Sequence, residues 1–214
     1  MEQYNEVEII NRVLEGQVAL FEILIRRNNP ILYKIGRSCG YKHEDVQDLM
    51  QDSYVDAYTH LSAFEKRSTF STWLAKIMFR NCFRKQRKFS FRKEMVNTIN
   101  DKSIPMFSGQ PYGDTDRTVL NRELNSIIED ALLHVPVVYR QVFVLREING
   151  FNIKETAEIA EISEANVKVR LNRARLMLRK VIEKSFKPEE IFAFNLVYCD
   201  VMVGRVMNHL QITK

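Results

Sequence analysis

The sequence predicts an all-α fold of two small helical domains joined by a flexible linker, followed by a helical C-terminal extension. Three observations predict it. Apolar residues recur at three- and four-residue steps along most of the chain, and no period-2 alternation of useful length appears. Gly (7) and Pro (5) are few for 214 residues, which argues against an all-β chain with many tight turns. The periodicity lapses between about Glu94 and Arg117, where NDKSIPMFSGQPYGDTD combines two prolines and two glycines with Ser, Asn and Asp, the composition of a linker. The expected boundaries are a first block at 1–93, a linker at 94–118, a second block at 119–184 and an extension at 185–214.

Taken in order, Leu20, Phe21, Leu24, Ile25, Ile31, Leu32 and Ile35 mark helix from Val18 to Gly36, with Pro30 expected as a joint. A second helix runs from about His43 to Leu61 on Val46, Leu49, Met50, Ser53 and Ala57. A third starts near Ser71 and turns Trp73, Leu74, Ile77 and Met78 inward. Helical spacing resumes at Leu120, Leu124, Ile127, Ile128 and Leu132 and continues to about Lys184. After Pro188 comes one more amphipathic segment, EEIFAFNLVYCDVMVGRVMNHL.

The charge balance is basic, 32 Lys+Arg against 27 Asp+Glu, and points to a polyanion partner because the cations cluster. Cys39, Cys82 and Cys199 are widely spaced and none forms a CxxC pair, so reduced thiols are expected, with no disulfide frame and no zinc site. The N-terminus starts acidic and lacks a basic region followed by an apolar run, so no signal peptide is expected. No stretch approaches the ~18 uninterrupted apolar residues of a membrane helix. A soluble, intracellular protein is expected. Enzyme signatures fail as well: His43-Glu44 opens like a zinc-protease motif, but Gln47 stands where the second His belongs, and no Gly-rich phosphate loop exists. No catalytic residue, metal or cofactor is expected.

The stretch NIKETAEIAEISEANVKVRLNRARLMLRK divides into a short helix, a turn and a longer helix. Ile153, Ala157 and Ile159–Ala160 are expected inside the first helix, the small Ala157 letting two helices cross closely. Ser163 is a good N-cap for the second helix, with Glu164 in its first turn. Val167, Leu171, Ala174 and Leu178 face the core, and Lys168, Val169, Asn172 and Arg173 share the opposite side. Six basic residues and no acid lie between Ala165 and Lys180. Such a helix enters the major groove, where Arg and Lys read guanine and Asn reads adenine.

The first block sets acid beside base. Asp45, Asp48, Asp52 and Asp56 form one stripe whose like charges repel by about 0.2–0.5 kcal/mol per pair, so it needs water or a basic partner. From Lys76 to Lys93 there are eight Lys/Arg and no acid, interleaved with Phe79, Phe83, Phe89 and Phe91. Cations of this kind bind phosphates; Phe79 and Phe83 are expected in the core.

In this order the pieces resemble bacterial RNA polymerase sigma factors of the extracytoplasmic-function (ECF) type, over roughly Gly16–Lys88 and Leu120–Ile182, about two-thirds of the chain. EDVQDLMQDSYVDAYTHL is similar to the region that docks on the clamp helices of the polymerase's largest subunit. FEKRSTFSTWLAKIMFRNCFRKQRK resembles the segment that opens and reads the −10 element. VPVVYRQVFVLREINGFNIKETAEIAEISEANVKVRLNRARLML resembles the winged-helix-like, four-helix domain that reads the −35 element.

The resemblance implies that Asp45, Asp48, Gln51, Asp52 and Asp56 serve core polymerase. It implies that Phe64, Ser68, Thr69 and Phe70 lie in the loop holding an unstacked −10 base, that Trp73 supports this loop from the core, and that Arg80, Asn81, Arg84 and Lys85 grip the opened strand. Lys168, Val169, Asn172 and Arg173 would read the −35 element, while Arg170 and Arg175 serve phosphates or packing. The implied partners are core RNA polymerase, promoter DNA and, in some members, an anti-sigma protein. The implied setting is the cytoplasm, at the nucleoid. Two departures stand out. Glu161 occupies the turn position usually held by Gly, and EKRST follows Phe64 where the family often has Arg-Gly. The tail exceeds the two-domain core. Its apolar face of Ile191, Phe194, Val197, Val201 and Met202 is expected as an added helix or as a latch or anti-sigma docking site, with Cys199 as a small core residue. ISEANVKVRL is also similar to the helix-turn-helix of response-regulator output domains, but the α/β receiver such regulators usually carry has no counterpart in the helical first block.

Overall fold

The computed structural model describes residues 5–90 and 128–185, with Arg205. The expected linker lies outside the described residues. So do Leu120, Leu124 and Ile127, the apolar tail face and Cys199. All regular structure among the described residues is helical, and no strand occurs there.

Helix α1 (Glu6–Leu14) begins at Asn5, whose side chain accepts from the Val7 N–H, and it buries Ile9, Ile10 and Val13. The sequence reading passed over this helix. Nine residues are too few to hold a helix in water alone, so α1 depends on docking its apolar side. A 3-10 turn, Val18–Leu20, leads into α2 (Phe21–Ser38). Here the expected joint is absent: α2 runs continuously through Pro30. Pro30 lies on the exposed side, where water can satisfy the carbonyl that loses its partner, while Leu24, Leu32 and Ile35 stay fully buried on the other.

Helices α3 (His43–Thr59) and α4 (Phe70–Ser90) pack on α2. The three approach closely at Gly36, where a Cβ would stand 2.7 Å from Val46 Cγ1 and 2.9 Å from Met78 Cε. Met78 can move, but Val46 is stiff and fully buried. Gly36→Val is therefore expected to lower the unfolding free energy by about 1–3 kcal/mol, read as a lower midpoint in urea. An unchanged midpoint would show that the helices part without cost. Trp73 and Ile77 are only half-buried, while Ala75, Phe79 and Cys82 join Leu74 and Met78 in the core. The Tyr54 hydroxyl reaches Ile25 O and Asn29 Oδ1, and burial pushes its phenol well above the usual range.

In the second block, residues 128–133 are helical (α5). Helix α6 (Val137–Phe143) starts after Pro136 and passes into a π turn, Val144–Ile148. Helix α7 (Ile153–Ala160) opens on a capping box between Asn152 and Glu155. Helix α8 (Glu164–Ser185) opens on Ser163, whose Oγ accepts from the Asn166 N–H at 3.2 Å. Between α7 and α8, Glu161 adopts the left-handed conformation, φ 53°, which costs a non-glycine residue about 1–2 kcal/mol.

Both helical blocks fall within one compact unit, Met1–Leu178. Two groups tie them together in its interior. Arg140, only 3% exposed, donates to Ser38 O at 2.9 Å, and Arg37 meets Glu129 at 3.5 Å with both side chains buried. Helix α7 also departs from expectation. Ile153 and Ala157 pack with Val142, Val167 and Leu171, as a helix-turn-helix requires. Ile159 and Ala160 instead join the core of the first block. A second unit, Arg179–Lys214, begins in the last turns of α8, where Arg179 and Glu183 pair at 2.6 Å.

Candidate nucleic-acid interface

The recognition helix is built as its period predicts. Val167, Leu171, Ala174 and Leu178 are buried, which leaves Lys168, Val169, Asn172 and Arg173 exposed on one face. Their neighbours are engaged within the chain. Arg170 Nε donates to Asn166 Oδ1 at 3.3 Å, and the exposed Arg175 pairs with Glu147 at 2.8 Å. Arg173 rests over the Tyr139 ring and donates to its hydroxyl at 3.1 Å, which aims the guanidinium. The sequence reading missed Tyr139, because 34 residues separate it from its partner.

The acidic stripe of α3 divides in two. Asp45 pairs with Lys85 at 2.6 Å. Asp56 accepts from Asn81 at 3.0 Å and from Arg84 at 3.3 Å. Asp48, Gln51 and Asp52 are exposed, and among the described residues Asp48 and Asp52 show no ion pair. So two of the five residues expected to serve the polymerase hold α4 in place, and three form an open acidic face.

Three residues of the expected strand-binding set are buried. Asn81 is 5% exposed and bonds to Ser53 and Asp56, so it braces α3 against α4 rather than facing solvent. Phe70 is fully buried and begins α4, outside the loop. Phe64 is buried as well and packs with Phe70 and Trp73 at 5.3–5.8 Å. The aromatic trio therefore forms the floor of the loop, and Glu65–Thr69 is its accessible part. The loop is anchored at both ends. Lys66, with φ 59°, donates to Asn11 Oδ1 at 2.9 Å. At the other end, Glu6 of α1 accepts the Phe70 N–H at 3.0 Å, and Thr69 Oγ1 accepts the Thr72 N–H at 3.1 Å. Both acceptors sit at the positive end of the α4 dipole. Arg80 is exposed and Lys85 half-buried.

This is a helical scaffold that carries a helix-turn-helix and an acid–base helix pair packed on it, the construction of a promoter-recognition factor. Known proteins agree. Residues 24–91 match the Sigma-70 region 2 family and residues 126–178 match Sigma-70, region 4. The RNA polymerase sigma factor YlaC of Bacillus subtilis is 32% identical over 151 residues, 69% of this chain and 83% of that protein. The ECF RNA polymerase sigma-E factor of Haemophilus influenzae is 25% identical over 186 residues, 85% of this chain and 97% of that one. Two solved structures share the fold. One is CnrH bound to the cytosolic domain of CnrY, with TM-score 0.60, 22% identity, and coverage of 85% of this chain and 99% of that one. The other is the sigma factor RpoE of Bartonella quintana bound to the anti-sigma factor NepR, with TM-score 0.59, 23% identity, and coverage of 76% and 96%. The chain belongs to the sigma-70-type RNA polymerase sigma factors, in their ECF branch. As a sigma factor, it binds core RNA polymerase and directs initiation at promoters. No described helix is long and apolar enough to cross a membrane.

Proposed function

We propose that promoter recognition is divided among three exposed surfaces of the chain. Asp48, Gln51 and Asp52 dock on the clamp helices of the polymerase's largest subunit. The Glu65–Thr69 loop, with Arg80, Arg84 and Lys85, holds the opened −10 strand. Lys168, Val169, Asn172 and Arg173 read the −35 element. One observation carries this reading: Asp48, Gln51 and Asp52 on α3 and Lys168, Val169, Asn172 and Arg173 on α8 are left exposed, as the acidic and basic faces these roles need.

The mechanism is bivalent binding. Each module binds weakly, and joining them raises the effective concentration of the second contact once the first is made. Extruding a −10 base costs a few kcal/mol, least where the strand is already parting. The buried aromatic floor of the loop offers a fixed frame for that base. The chain itself catalyses nothing; phosphodiester chemistry belongs to the polymerase. We place it in the cytoplasm, at the nucleoid, and count an anti-sigma protein among its partners, since both solved relatives were captured with a bound second protein.

Run-off transcription with core polymerase, with and without this chain, on promoter fragments from its own genome tests the whole reading. Discrete transcripts that depend on the chain are expected. Binding to duplex DNA without any effect on core polymerase would favour a conventional helix-turn-helix regulator. Within this assay, Arg173→Ala is expected to cost about 1–3 kcal/mol, roughly 5- to 150-fold, at native −35 sequences and much less where the contacted base is replaced. Equal loss on every template would remove Arg173 from base reading.

A further inference from the structure

The end of α2 and the middle of α4 bring two thiols together. Cys39 caps α2 and is half-buried, whereas Cys82 lies within α4 and is 2% exposed. Both are free cysteines, and their side chains share a hydrogen bond. Two further contacts fix the pair. Gln141 Nε2 donates to Cys39 Sγ at 3.3 Å, and the Tyr41 hydroxyl donates to Cys82 O at 2.7 Å. Cations stand close by: Lys85, one turn along α4 from Cys82, lies over the Tyr41 ring at 5.7 Å, and Arg140 donates to Ser38 O, next to Cys39. The two thiols differ in kind. The hydrogen bond with Cys82 holds the Cys39 thiol below its ordinary range, helped by Gln141, Ser38 and Arg140 against burial. The same bond, together with burial, pushes the Cys82 thiol up. The thiolate is the nucleophilic form of cysteine, and an easily ionised cysteine beside a second thiol is what oxidants convert to a disulfide. Neither sulfur belongs to a surface assigned to promoter recognition.

We propose that Cys39 and Cys82 form a redox site at which hydrogen peroxide oxidises Cys39 and Cys82 then closes an internal disulfide. In the first step the Cys39 thiolate attacks one peroxide oxygen and the O–O bond breaks. The departing hydroxide takes up a proton as water, and Cys39 becomes a sulfenic acid. In the second step the Cys82 sulfur gives up its proton and attacks the Cys39 sulfur. The S–O bond breaks, and hydroxide leaves with that proton as a second water. The two thiols lose two electrons and the peroxide gains them. A small oxidant suits the site, because one thiol is half-buried and the other lies in the core. The bridge joins α2 to α4 across the stretch that holds α3 and the Glu65–Thr69 loop, so both lie inside one covalent ring. Closing such a ring removes conformations from the unfolded chain, and the oxidised first block therefore resists unfolding. In a reducing cytosol a bond of this kind is transient, and a dithiol reductant restores the pair.

The test uses the full chain carrying Cys199→Ala, so that Cys39 and Cys82 supply the only thiols. Hydrogen peroxide is expected to remove both free thiols, to lower the mass of the chain by two hydrogens and to give one cross-linked peptide containing Cys39 and Cys82. Dithiothreitol should reverse all three. With Cys82→Ala added, the reaction is expected to stop at Cys39, where dimedone traps the sulfenic acid. With Cys39→Ala added instead, Cys82 should stay reduced. Circular dichroism checks that each variant folds, and the cross-linked peptide of the Cys199→Ala chain carries the test if one does not. The oxidised chain should unfold at a higher urea concentration than the reduced one. Thiols that survive peroxide in the folded chain and react only in urea overturn the site. Dimedone on Cys82 with Cys39 unmarked overturns the assigned order of the two steps. Disulfide-linked dimers on a non-reducing gel, in place of the internal cross-link, overturn the pairing. A lower urea midpoint after oxidation overturns the bracing effect of the bridge.

Discussion

Asp52→Arg is expected to leave the chain folded and to remove it from the polymerase. The Asp52 carboxylate is exposed in the middle of α3 and pairs with no cation among the described residues, so its replacement breaks no internal contact. It also relieves repulsion from Asp48 and Asp56 at helical spacing. In the proposed complex, by contrast, it sets a cation against a basic partner surface, and like charges facing each other across an interface cost several kcal/mol. Every 1.4 kcal/mol is about tenfold in affinity, so a loss of at least 100-fold is expected. Co-purification with core polymerase and fluorescence anisotropy would measure it, with circular dichroism confirming native helix content. Asp56→Ala is the informative contrast. It unpairs Asn81 and Arg84 and should lower stability before it lowers binding. An Asp52→Arg chain that still co-purifies intact would exclude this face from the polymerase contact.

Glu129→Ala is expected to be the most destabilising single change in the second block. Glu129 is 7% exposed and its partner Arg37 is 4% exposed. Removing the carboxylate leaves a buried guanidinium short of its counter-charge, at a cost of about 3–5 kcal/mol. Domain stabilities are only about 5–15 kcal/mol in total, so this loss should be visible as partial unfolding at 37 °C. Replacing both partners with apolar residues of similar size, Arg37→Met with Glu129→Leu, should recover most of the loss, because the buried pair repays little beyond its own desolvation. Urea unfolding of the three variants decides it. A cost below about 1 kcal/mol for Glu129→Ala would mean that water reaches Arg37.

Much of the site was legible because helical period is a local property. Val167, Leu171, Ala174 and Leu178 fixed the inner face of α8 and so placed Lys168, Val169, Asn172 and Arg173 outside. Ser163 marked the start of that helix by the chemistry of its hydroxyl, and the structure has that bond. The aspartate spacing placed one stripe on α3. The same reasoning failed where long-range contact overruled local signal. Pro30 is a breaker by its own chemistry, yet α2 carries it on its wet side because the core holds the opposite side. Nine residues of α1 carried an N-cap and three apolar positions, but the helix gains its stability only by docking.

The sequence by itself determined that the chain is helical, that it carries a helix-turn-helix with a basic outer face, and that acid lies on one helix of the first block and base on the next. Each of these follows from residue type and period. Only the tertiary structure decided which charges are spent at home. Asp45 and Asp56 are held by α4, Asn81 is buried between helices, and Glu158 and Glu161 hold Lys76 and Arg80 across more than 80 residues of chain. A period tells that a helix face will be covered but not by what. Such pairings depend on which elements the core brings together, and two equally charged positions on one stripe diverge once only one of them lies within reach of a partner.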